Sequence, residues 1–438
     1  MRTLLLSICS CILLFSACQK EEEAPAPSLP ANYQAMLSEL QTEAHPIASQ
    51  ALNIPDESLR ALDEVAKARI VGMGEATHGT KEFFQMKHRL FQYLVEQHNY
   101  RTIAFEMDFA EALIFNDYVH GRLNDNLADL MREKMIFWVW RTEEVRQLLE
   151  WMRSYNDAKP DEEHLSFYGF DVQFPRYNAR LLVERLEPYD ADFAQEVDEL
   201  LKYYRQLDYD FYTNEPNDTL GIKQDVDSVY QLVQDRETEL SAFFSAQEHA
   251  LLIQLARTIV QTQDVLFQYQ TDRSFNYRDL YMAENTGWLL DYLGEGESMA
   301  LWAHNFHMAD FDSYGAMGKW LKERFDEDYQ VVGFSFSTGY FNSTAPSAGI
   351  RSFFIEEAPK NQSINQLFHL SEQDNFILLL DQLPNDSVLK DWLSDQQGFL
   401  SIGSLYNGNP SFYYTDIQLT KLFDVMIHFE QTLSSDVF

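Results

Sequence analysis

Ile70-Val71-Gly72-Met73-Gly74-Glu75-Ala76-Thr77-His78-Gly79 opens on an apolar, strand-like pair and closes on a glycine-rich turn that carries a carboxylate and an imidazole. The glycines let the backbone turn tightly, and Thr80 stands where it can cap a helix continuing to about Asn99. Glu75 and His78 therefore emerge where a strand hands over to a helix. Histidine is the side chain most readily poised to exchange a proton near neutral pH, and a nearby carboxylate can fix its tautomer. A phosphate cradle is not indicated, because no Lys-Ser or Lys-Thr follows the last glycine.

Stepping about 100° per residue along the following helix gathers Phe83, Phe84, Leu90, Phe91, Leu94 and Val95 on one arc, with Lys87 near its centre. Arg89 falls on the polar side and reads as a solvated charge. Lys87 needs a carboxylate, Glu75 or Glu106, unless its stem covers apolar surface while its head reaches water. A second apolar run, Thr102 to Phe105, delivers Glu106 at its end. Asp108 and Glu111 read as a capping pair for a helix closing at Gly121. A third run, Ser298 to Ala303, leads into His304-Asn305-Phe306-His307. If that chain stayed extended, His304 and His307 would point to opposite faces, so one of the pair must lie beyond the strand.

Strand candidates near residues 69–74, 102–106, 166–171, 298–304, 330–337 and 376–381 alternate with helical stretches. The pattern predicts a three-layer α/β/α fold with a largely parallel central sheet, and a helical insertion over about residues 176–296. In an open sheet of this kind ligands bind beyond the carboxyl ends of the strands, where the three histidines and two glutamates can converge. Within the insertion, Tyr203, Tyr204, Tyr209, Phe211 and Tyr212 read as packing rather than cleft lining. Thr142 caps a helix whose buried stripe is Val145, Leu148, Leu149 and Met152. Arg141, just outside that cap, either binds a carbonyl or carboxylate in the cleft or pairs with a structural acid.

With 438 residues, 45% of them hydrophobic, the chain can bury a large core, and its formal net charge of −36 argues against a nucleic-acid partner. Arg2 precedes an apolar stretch from Leu4 to Phe15, too brief to span a bilayer in the usual way, and Ser16-Ala17-Cys18 resembles a bacterial lipoprotein cleavage site. The expected organisation is a signal peptide over 1–17, an acylated Cys18 with a flexible linker over 18–40, and a catalytic domain over 41–438. That places the protein in the cell envelope, lipid-anchored at a Gram-negative outer membrane. Cys9 and Cys11 leave with the signal, so no disulfide forms within one mature chain.

Taken together, the Gly74–Gly79 loop, Phe105-Glu106-Met107-Asp108, the segment Phe137 to Val145, Tyr168-Gly169-Phe170-Asp171, the stretch from Arg278-Asp279 to Glu284-Asn285, and Ala303-His304-Asn305 resemble the erythromycin esterase family. The resemblance implies hydrolysis of a macrolide-like lactone or another carboxylic ester by an activated water, without metal or cofactor. His78 matches the general base, with Glu75, Glu106, His304 and His307 around it. His304 is the first choice for oxyanion donor, while Lys87, Arg141, Arg278 and Glu284 are supporting or substrate-binding candidates. Lys87 stands where the family commonly has arginine, which keeps the charge and loses bidentate geometry.

Other chemistries have less support. There is no Gly-X-Ser-X-Gly elbow and no His-Glu-X-X-His helix. His78, His304, His307, Glu75 and Glu106 are nonetheless all metal-ligand types, so the alternatives are a metal-dependent hydrolase or a membrane-tethered protein that binds haem or a metal ion.

Overall fold

The computed structural model of the chain describes residues 32–47, 54–206, 219–271, 276–346, 348–356 and 359–438. Cys18 and the anchor expected there lie outside the described residues, as do Tyr209, Phe211 and Tyr212. Tyr33–Glu43 is already a helix with Tyr33, Met36, Leu37 and Leu40 buried, so packed structure begins before residue 41.

Among the described residues eleven strands run in chain order as β1 (His45–Pro46), β2 (Ile70–Met73), β3 (Thr102–Asp108), β4 (Ser166–Asp171), β5 (Met299–Trp302), β6 (Tyr329–Ala345), β7 (Gly349–Ile355), β8 (Asn375–Leu379), β9 (Gln397–Leu400), β10 (Tyr414–Ile417) and β11 (Val425–Thr432). The main sheet has the order β1-β8-β11-β6-β2-β5-β3-β4, with β7 paired to β6. From β11 to β4 every neighbouring pair is parallel, whereas β8, β1 and β7 join antiparallel. The sheet is thus largely parallel, as the alternation of strand and helix patterns predicts.

Successive strand residues enter different cores, the mark of a sheet covered on both faces. Ile70, Leu301 and Val331 pack into one hydrophobic cluster, while Val71, Trp302 and Val332 pack into the other. The helices Lys81–His98 and Glu143–Asp157 cover the second face; Asn99 ends the first of them in the left-handed conformation. The first face is covered by helices drawn from between β4 and β5, among them Pro175–Leu186, Ala191–Leu201, Ala246–Thr271 and Tyr277–Leu293. Tyr204 packs there as expected, fully buried with its hydroxyl donating to Ile259 O at 3.0 Å, while Tyr203 is exposed. Among the described residues no helix is long and apolar enough to cross a membrane.

Several local expectations are corrected. Arg89 is buried, not solvated: its guanidinium donates to Ile54 O at 2.9 Å and pairs with Asp56, because a preceding segment folds over that side of the helix. Thr80 occupies the N-cap position without capping, its hydroxyl engaged by Thr77 at 2.5 Å. Asp108 also stands at a helix start, Phe109–Val119, but its carboxylate accepts instead from the Phe174 amide at 3.1 Å. Glu111 accepts from the Ile136 amide at 3.0 Å rather than closing a capping box. β6 runs well past residue 337, because Gly339 adopts a φ of 123° that a side chain rarely tolerates and lets the strand continue into the β6–β7 hairpin.

Candidate active site

Beyond the carboxyl ends of β2, β5 and β9, three connections are stitched together by main-chain hydrogen bonds. The Asn305 amide donates to Glu75 O at 2.9 Å, and the Ile402 amide donates to Ala76 O at 2.6 Å. Gly74 permits this approach, since a Cβ at that position would lie 2.2 Å from Asn305 Oδ1. The loop that carries His78 is therefore fixed from two sides by chain segments far away in sequence.

Glu75 is fully buried and every oxygen of its carboxylate is used. Oε1 lies 2.7 Å from His78 Nδ1, and Oε2 accepts from Lys87 Nζ at 2.6 Å and from Trp302 Nε1 at 3.0 Å. A carboxylate at Nδ1 makes that nitrogen the protonated one and leaves the Nε2 lone pair for the cleft. Lys87 is fully buried too, 4.6 Å above the Trp302 ring. Burial pushes its ammonium down to about 8 against the opposing pull of Glu75. Of the two fates open to Lys87 in the sequence, pairing with a carboxylate is the one adopted, and Glu75 is the partner.

Glu106 ends its run in a second polar cluster. Oε1 accepts from Arg278 Nη2 at 2.6 Å, and Oε2 accepts from the His304 amide at 3.1 Å. Arg278 also grips Asp171 with two nitrogens, Nε at 2.9 Å and Nη2 at 2.7 Å. Burial alone would raise the Glu106 carboxyl, but His307 and Arg278 outweigh it and hold the group well below the usual carboxylate range. His307 sits between two carboxylates, Nδ1 at 2.7 Å from Asp279 Oδ1 and Nε2 at 3.3 Å from Glu106 Oε1. Burial would lower this imidazole; Asp279 and Glu106 outweigh it and raise the group above the ordinary histidine value. Glu75, not Glu106, is thus the carboxylate in contact with His78.

The strand before His304 ends at Trp302, and His304 becomes the N-cap of the short helix Asn305–Met308. The chain therefore does not stay extended, and both histidines lie beyond the strand: His304 and His307 face the same cleft, with ring centroids 6.4 Å apart, and His304 lies 5.1 Å from His78. Burial, reinforced by the neighbouring histidines, holds His304 well below the ordinary value.

His78, Glu106, Arg278, His304 and His307 together line a cleft of about 370 Å³. Phe137, Val139, Trp140, Phe306 and Tyr314 supply its apolar wall, and Gln173, Ser401, Gly403 and Ser404 its remaining polar edge. Glu75 and Lys87 stand behind His78. Glu284 is elsewhere, paired with Arg257 at 2.7 Å at a partly exposed site. Arg141 does not line the cleft; its charge acts on Glu111, a buried carboxyl that burial pushes up to about 8 while Arg141 opposes the rise. Ser401 was not singled out in the sequence, and its only signal is a place immediately after the short strand β9. Among the described residues no group of three or more His, Cys, Asp or Glu side chains is arranged to hold a metal ion.

This arrangement sets an imidazole oriented by a buried carboxylate on one side of a small cleft and two further imidazoles, His304 and His307, on the other. Known proteins with this chain organisation bear on what it serves. The chain is 24% identical over 427 residues to erythromycin esterase type II of Escherichia coli, covering 88% of this chain and 96% of that one. A solved Bacillus cereus protein superposes with a TM-score of 0.82 at 25% identity, over 93% of this chain and 100% of that one. An erythromycin esterase mutant in its open conformation shares the fold, with a TM-score of 0.68 at 18% identity over 89% of this chain and 98% of that one. The erythromycin esterase family pattern itself matches residues 95–432, a span that holds Glu106, Arg278, His304 and His307 and begins after the His78 loop. The chain belongs to the erythromycin esterase family.

Proposed function

We propose that the protein hydrolyses a carboxylic ester, opening a macrolide-like lactone or cleaving a simpler ester, with water activated by His78. The observation that carries this reading is the contact of His78 Nδ1 with the buried Glu75 carboxylate at 2.7 Å, which orients the ring at the cleft and leaves Nε2 as the nitrogen to act as base. In the first step Nε2 takes a proton from water as the water oxygen bonds to the carbonyl carbon, and the carbonyl electron pair moves to oxygen. In the second step the oxyanion pair re-forms the carbonyl as the carbon–alkoxide bond breaks, and the proton on His78 passes to the departing alkoxide. Glu75 stabilises the imidazolium between these steps, and Lys87 supplies Glu75 with a counter-charge in a buried site. Glu106 accepts from the His304 amide and holds Arg278 and His307, and so fixes the opposite wall rather than the base.

The wall of the cleft supports this substrate class. Phe137, Val139, Trp140 and Phe306 suit an apolar acyl or ring portion, and the guanidinium of Arg278 is already occupied by Asp171 and Glu106, so no anionic anchor is required of the substrate. Purified protein incubated with macrolides, simple lactones and aryl esters is expected to convert at least one of them to a product heavier by one water for a lactone, or to an acid and an alcohol for an open ester. Mass spectrometry reads the products. Failure to turn over any member would count against the proposal.

A further inference from the structure

The connection after β9 brings Ser401 into the cleft, 7% exposed, with its hydroxyl 3.3 Å from His304 Nε2. The direction of that hydrogen bond is settled on the far side of the ring. His304 Nδ1 lies 3.3 Å from the Phe306 amide, and an amide nitrogen can only donate. Nδ1 must then carry the lone pair, so the neutral imidazole bears its proton on Nε2. Burial keeps the ring in that neutral form. His304 therefore donates to Ser401 Oγ, and the serine hydrogen points away from the imidazole, with no other partner for Oγ among the described residues.

The serine is also held in place. Its amide donates to Tyr413 O at 3.0 Å, and the next amide, that of Ile402, donates to Ala76 O at 2.6 Å, two residues before His78. Donor and base are thereby tied to each other through the main chain. A hydroxyl that already accepts a hydrogen bond is a stronger donor than an isolated one, and preorganised donors aimed at developing charge are among the largest contributions to catalysis.

We propose that Ser401, polarised by His304, is the donor to the ester carbonyl oxygen, so that His304 acts on the oxyanion through the serine rather than by direct contact. The inference rests on the hydrolytic reading above. No bond to the serine forms: water adds to the carbonyl carbon, the π pair moves to oxygen, and the Ser401 O–H bond stays intact while its hydrogen bond to that oxygen strengthens. Service as a nucleophile would require a base for the serine proton, and the nearest ring nitrogen holds a proton of its own.

For an ester that the parent turns over, Ser401→Ala is expected to lower kcat by about 10²- to 10³-fold with little change in KM, and Ser401→Thr to recover part of the loss. Independently of turnover, nitrogen-15 NMR of histidine-labelled protein should show His304 as the neutral Nε2–H tautomer, with its resonance displaced in Ser401→Ala. A Ser401→Ala enzyme with parental kcat, where His78→Ala is silent, overturns the role of the serine and leaves the hydrolytic reading standing. An Nδ1–H tautomer at His304 overturns it as well. If the parent turns over no ester, the hydrolytic reading falls and takes this role with it.

Discussion

His78→Ala is expected to remain folded and to lose about 10²- to 10⁴-fold in kcat/KM, the usual cost of removing a general base. The fold should survive because the imidazole makes its hydrogen bond at the edge of the cleft, and Glu75 keeps two other partners, Lys87 and Trp302. The loss should fall on kcat more than on KM, since proton transfer belongs to the transition state and not to binding. Steady-state kinetics beside circular dichroism separates these effects. A folded His78→Ala enzyme with near-parental turnover would remove His78 from the reaction.

Glu75→Gln should do double damage, to stability as well as to turnover. The amide is nearly isosteric, so packing is kept, but the fully buried Lys87 ammonium loses its counter-charge. Breaking one side of a buried ion pair costs about 3–5 kcal/mol. The pH dependence has a definite sign. In the parent, Lys87 is lowered by burial to about 8. Without Glu75 its folded-state value drops further, while the unfolded value stays near about 10.4. Wherever the unfolded state binds more protons, stability rises with pH. The deficit of Glu75→Gln against the parent should therefore be largest on the acid side of neutrality and narrow up to about pH 8, above which the parent Lys87 deprotonates too. Adding Lys87→Met should restore most of the stability, because no buried charge remains, yet restore no activity, because His78 still lacks its carboxylate. Urea unfolding of the parent and both variants at pH 6 and 8 tests this, and a Glu75→Gln protein as stable as the parent at pH 6 would contradict it.

How far this site reads from the sequence depends on how local each determinant is. That β2, β3 and β5 carry Glu75, Glu106 and His304 to one edge was legible because short apolar runs stop near them and parallel strands deliver their carboxyl ends together; the end of β3 was not, since that strand continues through Glu106 to Asp108 with a register shift against β4 after Phe105. The need of Lys87 for a carboxylate was legible from its place at the centre of an apolar arc; which carboxylate it takes was not, since that depends on how the loop and the helix close on each other. That His304 and His307 cannot both stand on one extended strand was legible; that both lie beyond it was not, because the chain leaves β5 for a helical turn that His304 itself caps, a side-chain-to-amide contact that strand periodicity does not encode. Glu284 was misplaced for a geometric reason. It lies six residues beyond Arg278 on the helix Tyr277–Leu293, and at about 100° per residue the two side chains fall on different faces. Arg278 meets Asp171 and Glu106, while Glu284 meets Arg257. Ser401 was invisible because β9 is four residues long and joins β10 in a separate two-stranded sheet, so nothing local ties the residue to His78.

The central claim is that water, and no side chain of the protein, attacks the ester. Its most direct measurement is turnover in oxygen-18-labelled water, followed by mass spectrometry of the product acid and of the intact protein during the reaction. The account predicts one labelled oxygen in the product acid and an unmodified protein mass throughout; an acyl adduct on the protein, at Ser401 or anywhere else in the chain, would contradict it.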